Sequence, residues 1–320
     1  MSCIECHGAL HLRARLYVVI RRFFAERDVL EVETPILSAA GNTEPNIESF
    51  CTRFTGHVDA GAPERYLRTS AEYPLKRLLA QGLGDCYELG RVFRNGEAGR
   101  HHNPEFTMLE WYRVGFDDRR IAEETVSLIH AAQRLAGQDE SPVRVTTYRE
   151  LFKSALGLDP FTADIAALRA PLADFGVDPD GLTRDDWLDL LMTHRIQPDF
   201  PAYAITVIHD WPASQCALAR IRLGEHPVAE RFELYLGAFE LANGYHELND
   251  ATEQRARFER ENARRAQRGQ PAMPIDENFL ATIGAMPDCA GVAVGIERLM
   301  MCLTGNDAIC EVMAFGFADA

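Results

Sequence analysis

The sequence predicts an α+β fold, a mostly antiparallel sheet flanked by helices, with a helical insertion interrupting the strands. Three observations predict it. Strand-like alternation recurs at residues 30–35, 66–69, 85–92 and 106–114, and again at 204–207, 231–236 and 292–296. Between these two groups, residues 141–196 carry helix starts at Thr147-x-x-Glu150 and Thr183-x-x-Asp186, both of capping-box type. No repeat, low-complexity tract or Ser/Gly linker divides the chain, so residues 1–320 read as one domain with an insertion at about 141–197.

In chain order, residues 11–28 place Leu12, Leu16, Val19, Ile20, Phe23 and Phe24 on one helical stripe. The stripe runs into an alternating strand that Pro35 stops, since proline cannot donate to a ladder. Residues 121–135 form a second helix. A break at Gly176, Pro179 and Gly181 divides the insertion, and 252–268 reads as a polar, Arg-rich helix with a solvated face, ending at Gly269.

Composition narrows the function. The 320 residues include 33 Lys+Arg and 48 Asp+Glu, a net charge of −15, with 47% hydrophobic and 25% charged residues. That balance disfavours a broad nucleic-acid footprint, which needs a basic face. No stretch reaches the roughly 18 apolar residues of a membrane span, and the first 16 residues lack a signal-peptide core, so a cytoplasmic protein is expected. Eight scattered cysteines fit reduced thiols. Cys3-Ile-Glu-Cys6-His7 matches a haem-attachment or half-zinc spacing but has no second ligand pair, and reads as a chance pattern.

Three segments place charge where a packed sheet would not want it. In Phe93-Arg94-Asn95-Gly96-Glu97, an arginine at a strand end opens a loop that returns through Asn103 to Phe106. A guanidinium so placed suits bidentate phosphate binding, and an aromatic can stack on a base; a plain polar hairpin is the alternative. Glu233, Glu240 and Glu247 stand seven apart with Asn243 among them. On two strands joined by a turn such acids converge and call for Mg²⁺ or an ammonium, unless they are rim charges. In Gly291-Val292-Ala293-Val294-Gly295-Ile296-Glu297-Arg298, a glycine-bearing strand enters a helix whose first turn carries Arg298.

Taken together, the three resemble the signature motifs of class II aminoacyl-tRNA synthetases. Motif 1 is the first helix with the strand ending at Pro35, motif 2 the Arg94 loop, and motif 3 the strand into Arg298. Arg-His-His-Asn-Pro-Glu-Phe-Thr-Met-Leu-Glu-Trp-Tyr and Asn-Gly-Tyr-His-Glu-Leu-Asn-Asp are similar to the lysyl branch. The motif 1 helix begins within the first dozen residues, leaving no room for an anticodon-binding domain. The chain therefore resembles the stand-alone lysyl-tRNA synthetase paralogues that attach (R)-β-lysine to elongation factor P, and Ala242 before Asn243-Gly244 agrees.

The resemblance implies ATP and Mg²⁺ as cofactors, elongation factor P and (R)-β-lysine as partners, a homodimer through motif 1, and no tRNA or membrane partner. It implies Arg94, Arg298 and Glu240 as catalytic residues. Arg94, Asn95, Gly96, Asn103, Phe106, Glu233, Leu234, Gly295 and Arg298 would meet ATP, with Glu233 and Glu240 on the metal. Ser70, Ala71, Glu72, Glu110, Tyr112, Glu240, Ala242, Asn243 and Glu247 would meet the amino acid. Two departures from the family pattern stand out: Gly96 where motif 2 has a glutamate, with Glu97 next or a backbone carbonyl to take its place, and Ala71 where the family has proline. A tRNA-charging catalytic domain and a non-catalytic nucleotide sensor are the rival readings.

Overall fold

The computed structural model describes residues 3–57, 59 and 61–320, with the side chains of 3–7 left aside, so the Cys3-x-x-Cys6-His7 pattern lies outside the described residues. Its strands are β1 (Leu30–Glu31), β2 (Leu37–Ser38), β3 (Cys51–Arg53), β4 (Glu64–Leu67), β5 (Cys86–Phe93), β6 (Glu105–Val114), β7 (Val143–Thr147), β8 (Ile205–Pro212), β9 (Ile221–Arg222), β10 (Val228–Leu236), β11 (Phe239–His246) and β12 (Cys289–Gly295). The helices are α1 (Cys3–Ala25), α2 (Glu72–Ala80), α3 (Asp118–Leu135), α4 (Tyr148–Leu156), α5 (Ile165–Arg169), α6 (Arg184–Leu191), α7 (Ala251–Gln267), α8 (Glu277–Ile283) and α9 (Ile296–Thr304).

The main sheet runs β1-β5-β6-β12-β11-β10-β8-β7, with β9 also on β10, and a small sheet runs β2-β4-β3. Its centre is antiparallel, while β1 joins β5 and β7 joins β8 in parallel. The two faces differ in chemistry. On β6, Leu109 and Trp111 are fully buried and join Leu16, Ile20 and Phe24 of α1, Ile121 and Leu128 of α3, and Leu299 and Met300 of α9 in the largest apolar core. Strand alternation turns Phe106, Met108, Glu110 and Tyr112 to the opposite face, where a cavity lies. Burying one leucine-sized side chain contributes roughly 1.5–3 kcal/mol, so the apolar face fixes the register and the polar face follows.

The insertion packs α4, α5 and α6 on Trp211 and Tyr235. Both capping boxes form: Thr147 with Glu150 starts α4 and Thr183 with Asp186 starts α6. The insertion opens with a strand rather than a helix. β7 alternates over only five residues at the sheet edge, leaving Val143 and Val145 43% and 60% exposed, which weakens its sequence signal. The strand expected at 30–35 pairs at Leu30 and Glu31 only, with one further backbone bond from Val32 to the Tyr87 carbonyl at 2.9 Å.

The solvated-face reading of α7 is corrected on one side. Arg257 and Arg265 are buried. Arg257 donates to the carbonyls of Ala217 and Ala219 at 2.7 Å each, and Arg265 to Glu48 Oε2 at 2.7 Å. Their stems pack while their heads satisfy loop carbonyls, so arginine count alone misreads this helix.

Candidate active site

The open face of the sheet lines a cavity of about 400 Å³. Four strands build it by register. Gly291, Ala293 and Gly295 of β12 lie opposite Tyr112, Glu110 and Met108 of β6. Tyr245 and Asn243 of β11 lie opposite Gly291 and Ala293, and Glu233 of β10 lies opposite Asn243. From Phe106 to Tyr112 is six residues of strand, about 20 Å, so the cavity has two distinct ends. Gly291 is needed where they are tightest: a Cβ there would lie 2.3 Å from Tyr112 Cε1 and 2.4 Å from Glu247 Oε1.

The Phe106 end is cationic. Arg94 stands over the Phe106 ring at 5.2 Å, with only a loose ion pair to Glu97 at 3.8 Å. Arg298, in the first turn of α9, donates to the Glu240 carbonyl at 3.0 Å and to its Oε2 at 3.4 Å. Its other nitrogen lies 2.8 Å from His102 Nε2, and burial, then this guanidinium, lowers the His102 pKa. Asn103 is held on both sides: it donates to the Glu105 carbonyl at 2.7 Å and accepts from the Phe317 N–H at 2.9 Å. Gly96 takes φ +82°, and it is Glu97, not residue 96, that lines the cavity.

In the middle, Glu233 is buried, accepting from Tyr235 O–H and Arg231 at 2.5 Å each. Burial raises its pKa to about 7; Arg231 lowers it and the charge of Glu240 raises it again. Two mutually repelling carboxylates in one cavity are a fitting donor set for a hard divalent cation, which takes one or two carboxylates plus phosphate oxygens. Among the described residues no cluster of three or more His, Cys, Asp or Glu forms a dedicated metal cage.

The Tyr112 end is anionic. Glu110 accepts from Ser70 O–H at 2.6 Å, Ala71 N–H at 3.1 Å and Tyr112 O–H at 2.8 Å. Burial, then the charge of Glu72, raises its pKa to about 7. Glu247 is 1% exposed, and burial raises its pKa to about 8 against the lowering effect of Lys76. Ser70 also accepts from the Glu72 N–H at 2.9 Å, which seats Glu72 at the start of α2.

The cavity thus gathers Ser70, Glu72, Arg94, Asn103, Phe106, Glu110, Tyr112, Glu233, Glu240, Asn243, Glu247, Gly295 and Arg298. Asn95, Gly96 and Ala71 border it only through neighbours; Asn95 pairs its backbone with Glu48. The side chain of Leu234 lies in the core at 0% exposure, the pleat turning it away from Glu233. Ala242 borders the cavity but lies opposite Leu234, with its methyl in the same apolar core. The methyl on the cavity face is that of Ala293, between Asn243 and Glu110. Sequence reasoning missed Ala293, Lys76 and Arg231. Arg231 donates to Asn243 Oδ1 at 3.3 Å as well as to Glu233, and only its position two residues before Glu233 hinted at this.

Comparison with known proteins agrees with this geometry. Elongation factor P–(R)-β-lysine ligases of Salmonella gallinarum, Salmonella paratyphi B and Salmonella schwarzengrund are each 46% identical over 307 residues, covering 95% of this chain and 93% of theirs. A family model described as tRNA synthetases class II (D, K and N) matches residues 4–318. The antiparallel sheet, the arginine-bearing loop and the glycine strand entering α9 therefore mark this chain as belonging to the class II tRNA synthetase family of the D, K and N type.

Proposed function

We propose that this protein is an ATP-dependent, AMP-forming ligase that activates (R)-β-lysine as an adenylate and transfers it to a lysine ε-amine of elongation factor P. One observation carries the reading. A single cavity presents two lightly paired arginines at one end and three carboxylates, those of Glu72, Glu110 and Glu247, at the other. Phosphate and ammonium groups of one extended molecule match that polarity. The ligases named above, similar over nearly their whole length, act on this pair of substrates by name.

In this reading Phe106 stacks on adenine, and Asn103, held from both sides, contacts the nucleotide. Arg94 binds the α-phosphate and the substrate carboxylate, and Arg298 the terminal phosphate. Glu233 and Glu240 hold Mg²⁺, which supplies charge neutralisation on the phosphates. Glu110, Tyr112 and Glu247 surround the distal ammonium, Ser70 and Glu72 take the second amine, and Asn243 steadies the carboxylate. The carboxylate attacks the α-phosphate in line, pyrophosphate leaves, and the acceptor amine then displaces AMP from the acyl carbon. Positioning and preorganised charge do the work, with no covalent enzyme intermediate.

Exposed Val18 and Leu30, at 65% and 51%, lie on the motif 1 elements and support a homodimer through them. Among the described residues no helix is long and apolar enough to cross a membrane; we place the enzyme in the cytoplasm, where its acceptor works. ATP–pyrophosphate exchange tests the activation step: (R)-β-lysine should stimulate it strongly, and exchange indifferent to any diamino acid would defeat the proposal.

A further inference from the structure

The chemistry above leaves one buried charge unused. Lys76 stands one helical turn after Glu72 on α2, its side chain fully buried. Its Nζ lies 2.6 Å from Glu72 Oε1 and 2.5 Å from Glu247 Oε2, just beyond β11. Burial works against this ammonium, but the charges of Glu247 and Glu72 outweigh it and raise its pKa above the ordinary lysine value. Among the described residues Glu247 Oε1 is buried with neither a hydrogen bond nor an ion pair, whereas Oε2 has the Lys76 ion pair, and the residue lines the cavity. Glu110 is satisfied by three neutral donors and, among the described residues, pairs with no cation.

When all three carboxylates are ionised, as they must be to seat ammonium groups, the single ammonium of Lys76 leaves two negative charges uncompensated. The other ionisable groups facing the cluster do not change that count. Tyr112, Tyr245 and Cys289 are all held above their ordinary pKa values by burial, so they stay neutral, and Arg220 meets the cluster at the Glu247 carbonyl, at 2.8 Å, while its charge pairs with Asp288 at 2.6 Å.

We propose that Lys76 is a specificity-determining residue: it permanently fills one of three anionic seats, so the pocket accepts a ligand with two ammonium groups. This rests on the reading that the pocket binds a diamino acid. Without Lys76, Glu247 loses the neighbour that favours its charged form and holds its proton still more tightly. The seat it offers the substrate is then a neutral acid, and the ammonium must displace a proton to bind.

The test measures ATP–pyrophosphate exchange with β-lysine and ATP varied in turn. Lys76→Met should raise the KM for β-lysine about tenfold or more, the effect of about one pKa unit, with the KM for ATP nearly unchanged. Lys76→Arg, which keeps the charge, should stay close to wild type. Lys76→Ala should regain β-lysine use when propylammonium is added and gain nothing from propanol; this arm and the arginine variant decide the matter if the methionine variant does not fold. An unchanged KM in Lys76→Met, an arginine variant as impaired as the methionine one, or equal rescue by propanol would make Lys76 a packing residue and overturn the proposal. Wild type that activates no diamino acid would instead defeat the functional reading, and this proposal with it.

Discussion

Arg13 Nη1 of α1 donates to Glu297 Oε1 at 2.8 Å, tying the first helix to the residue that precedes Arg298. Glu297 is 1% exposed, and its other oxygen accepts the Thr107 N–H of β6 at 2.9 Å. One buried carboxylate thus joins the elements of all three sequence motifs. The same guanidinium donates to the Val312 carbonyl at 3.1 Å, which adds the C-terminal segment to the junction.

Removing Arg13 leaves that carboxylate buried with only the distant Arg91 guanidinium, at 4.0 Å, beside it. Breaking such a pair costs roughly 3–5 kcal/mol. Arg13→Met should therefore lower the urea midpoint by an amount of this order, and Arg13→Met with Glu297→Met should recover most of it. A loss below about 1 kcal/mol in the single variant would show that the pair is screened or dispensable.

Arg298→Ala and Glu240→Ala should each slow adenylate formation about a hundredfold while the fold persists. Each removes a group placed against phosphate or metal charge, and one lost electrostatic stabiliser raises a barrier by about 3 kcal/mol, on the order of a hundredfold in rate. Exchange near the wild-type rate in either variant would sever these residues from the chemistry.

Burial sets a pH dependence. Glu110 and Glu247 have folded-state pKa values raised to about 7 and about 8. The folded state therefore keeps protons that the unfolded chain loses above its ordinary carboxyl pKa of about 4.3, so stability without substrate falls as pH rises to about 8, then levels. Binding has the opposite sign, because an ammonium needs the deprotonated acids: the KM for β-lysine should fall between pH 6 and 8.5. Glu247→Gln should make both slopes shallower, leaving the shares of Glu110 and Glu233, and should leave the KM for ATP in place; slopes unchanged by it would assign them to other groups.

The pleat separates two alanines. Ala242→Gly removes a methyl from the core and should cost about 0.5–1 kcal/mol without altering the preference between α-lysine and β-lysine. Ala293→Gly removes the methyl between Asn243 and Glu110, where a change of this size shifts selectivity by roughly 10–200-fold in kcat/KM. Comparing kcat/KM for both isomers in both variants checks this, and a shifted ratio in Ala242→Gly alone would reverse the assignment.

These two alanines also show where the sequence runs short. The alternation of 106–114 made Glu110 and Tyr112 legible as one face, and the capping boxes marked α4 and α6. The acids Glu233, Glu240 and Glu247 were legible as a set, because three carboxylates near one turn have few other uses. Which neighbour shares their face depends on a register shift between Leu234 and Tyr235, where Leu241 has no partner on β10. An irregularity of one residue inverts the inside and outside positions beyond it, and no composition signal records it. Lys76 was hidden for another reason: its meaning lies in Glu247, 171 positions away along the chain.

The most direct measurement is the intact mass of elongation factor P after incubation with this protein, Mg²⁺-ATP and (R)-β-lysine, beside a parallel reaction offering tRNA. The account predicts the addition of one β-lysyl group to the acceptor protein, dependent on ATP and slowed in Arg298→Ala, with tRNA left uncharged. Robust charging of tRNA with no mass change on elongation factor P would contradict it.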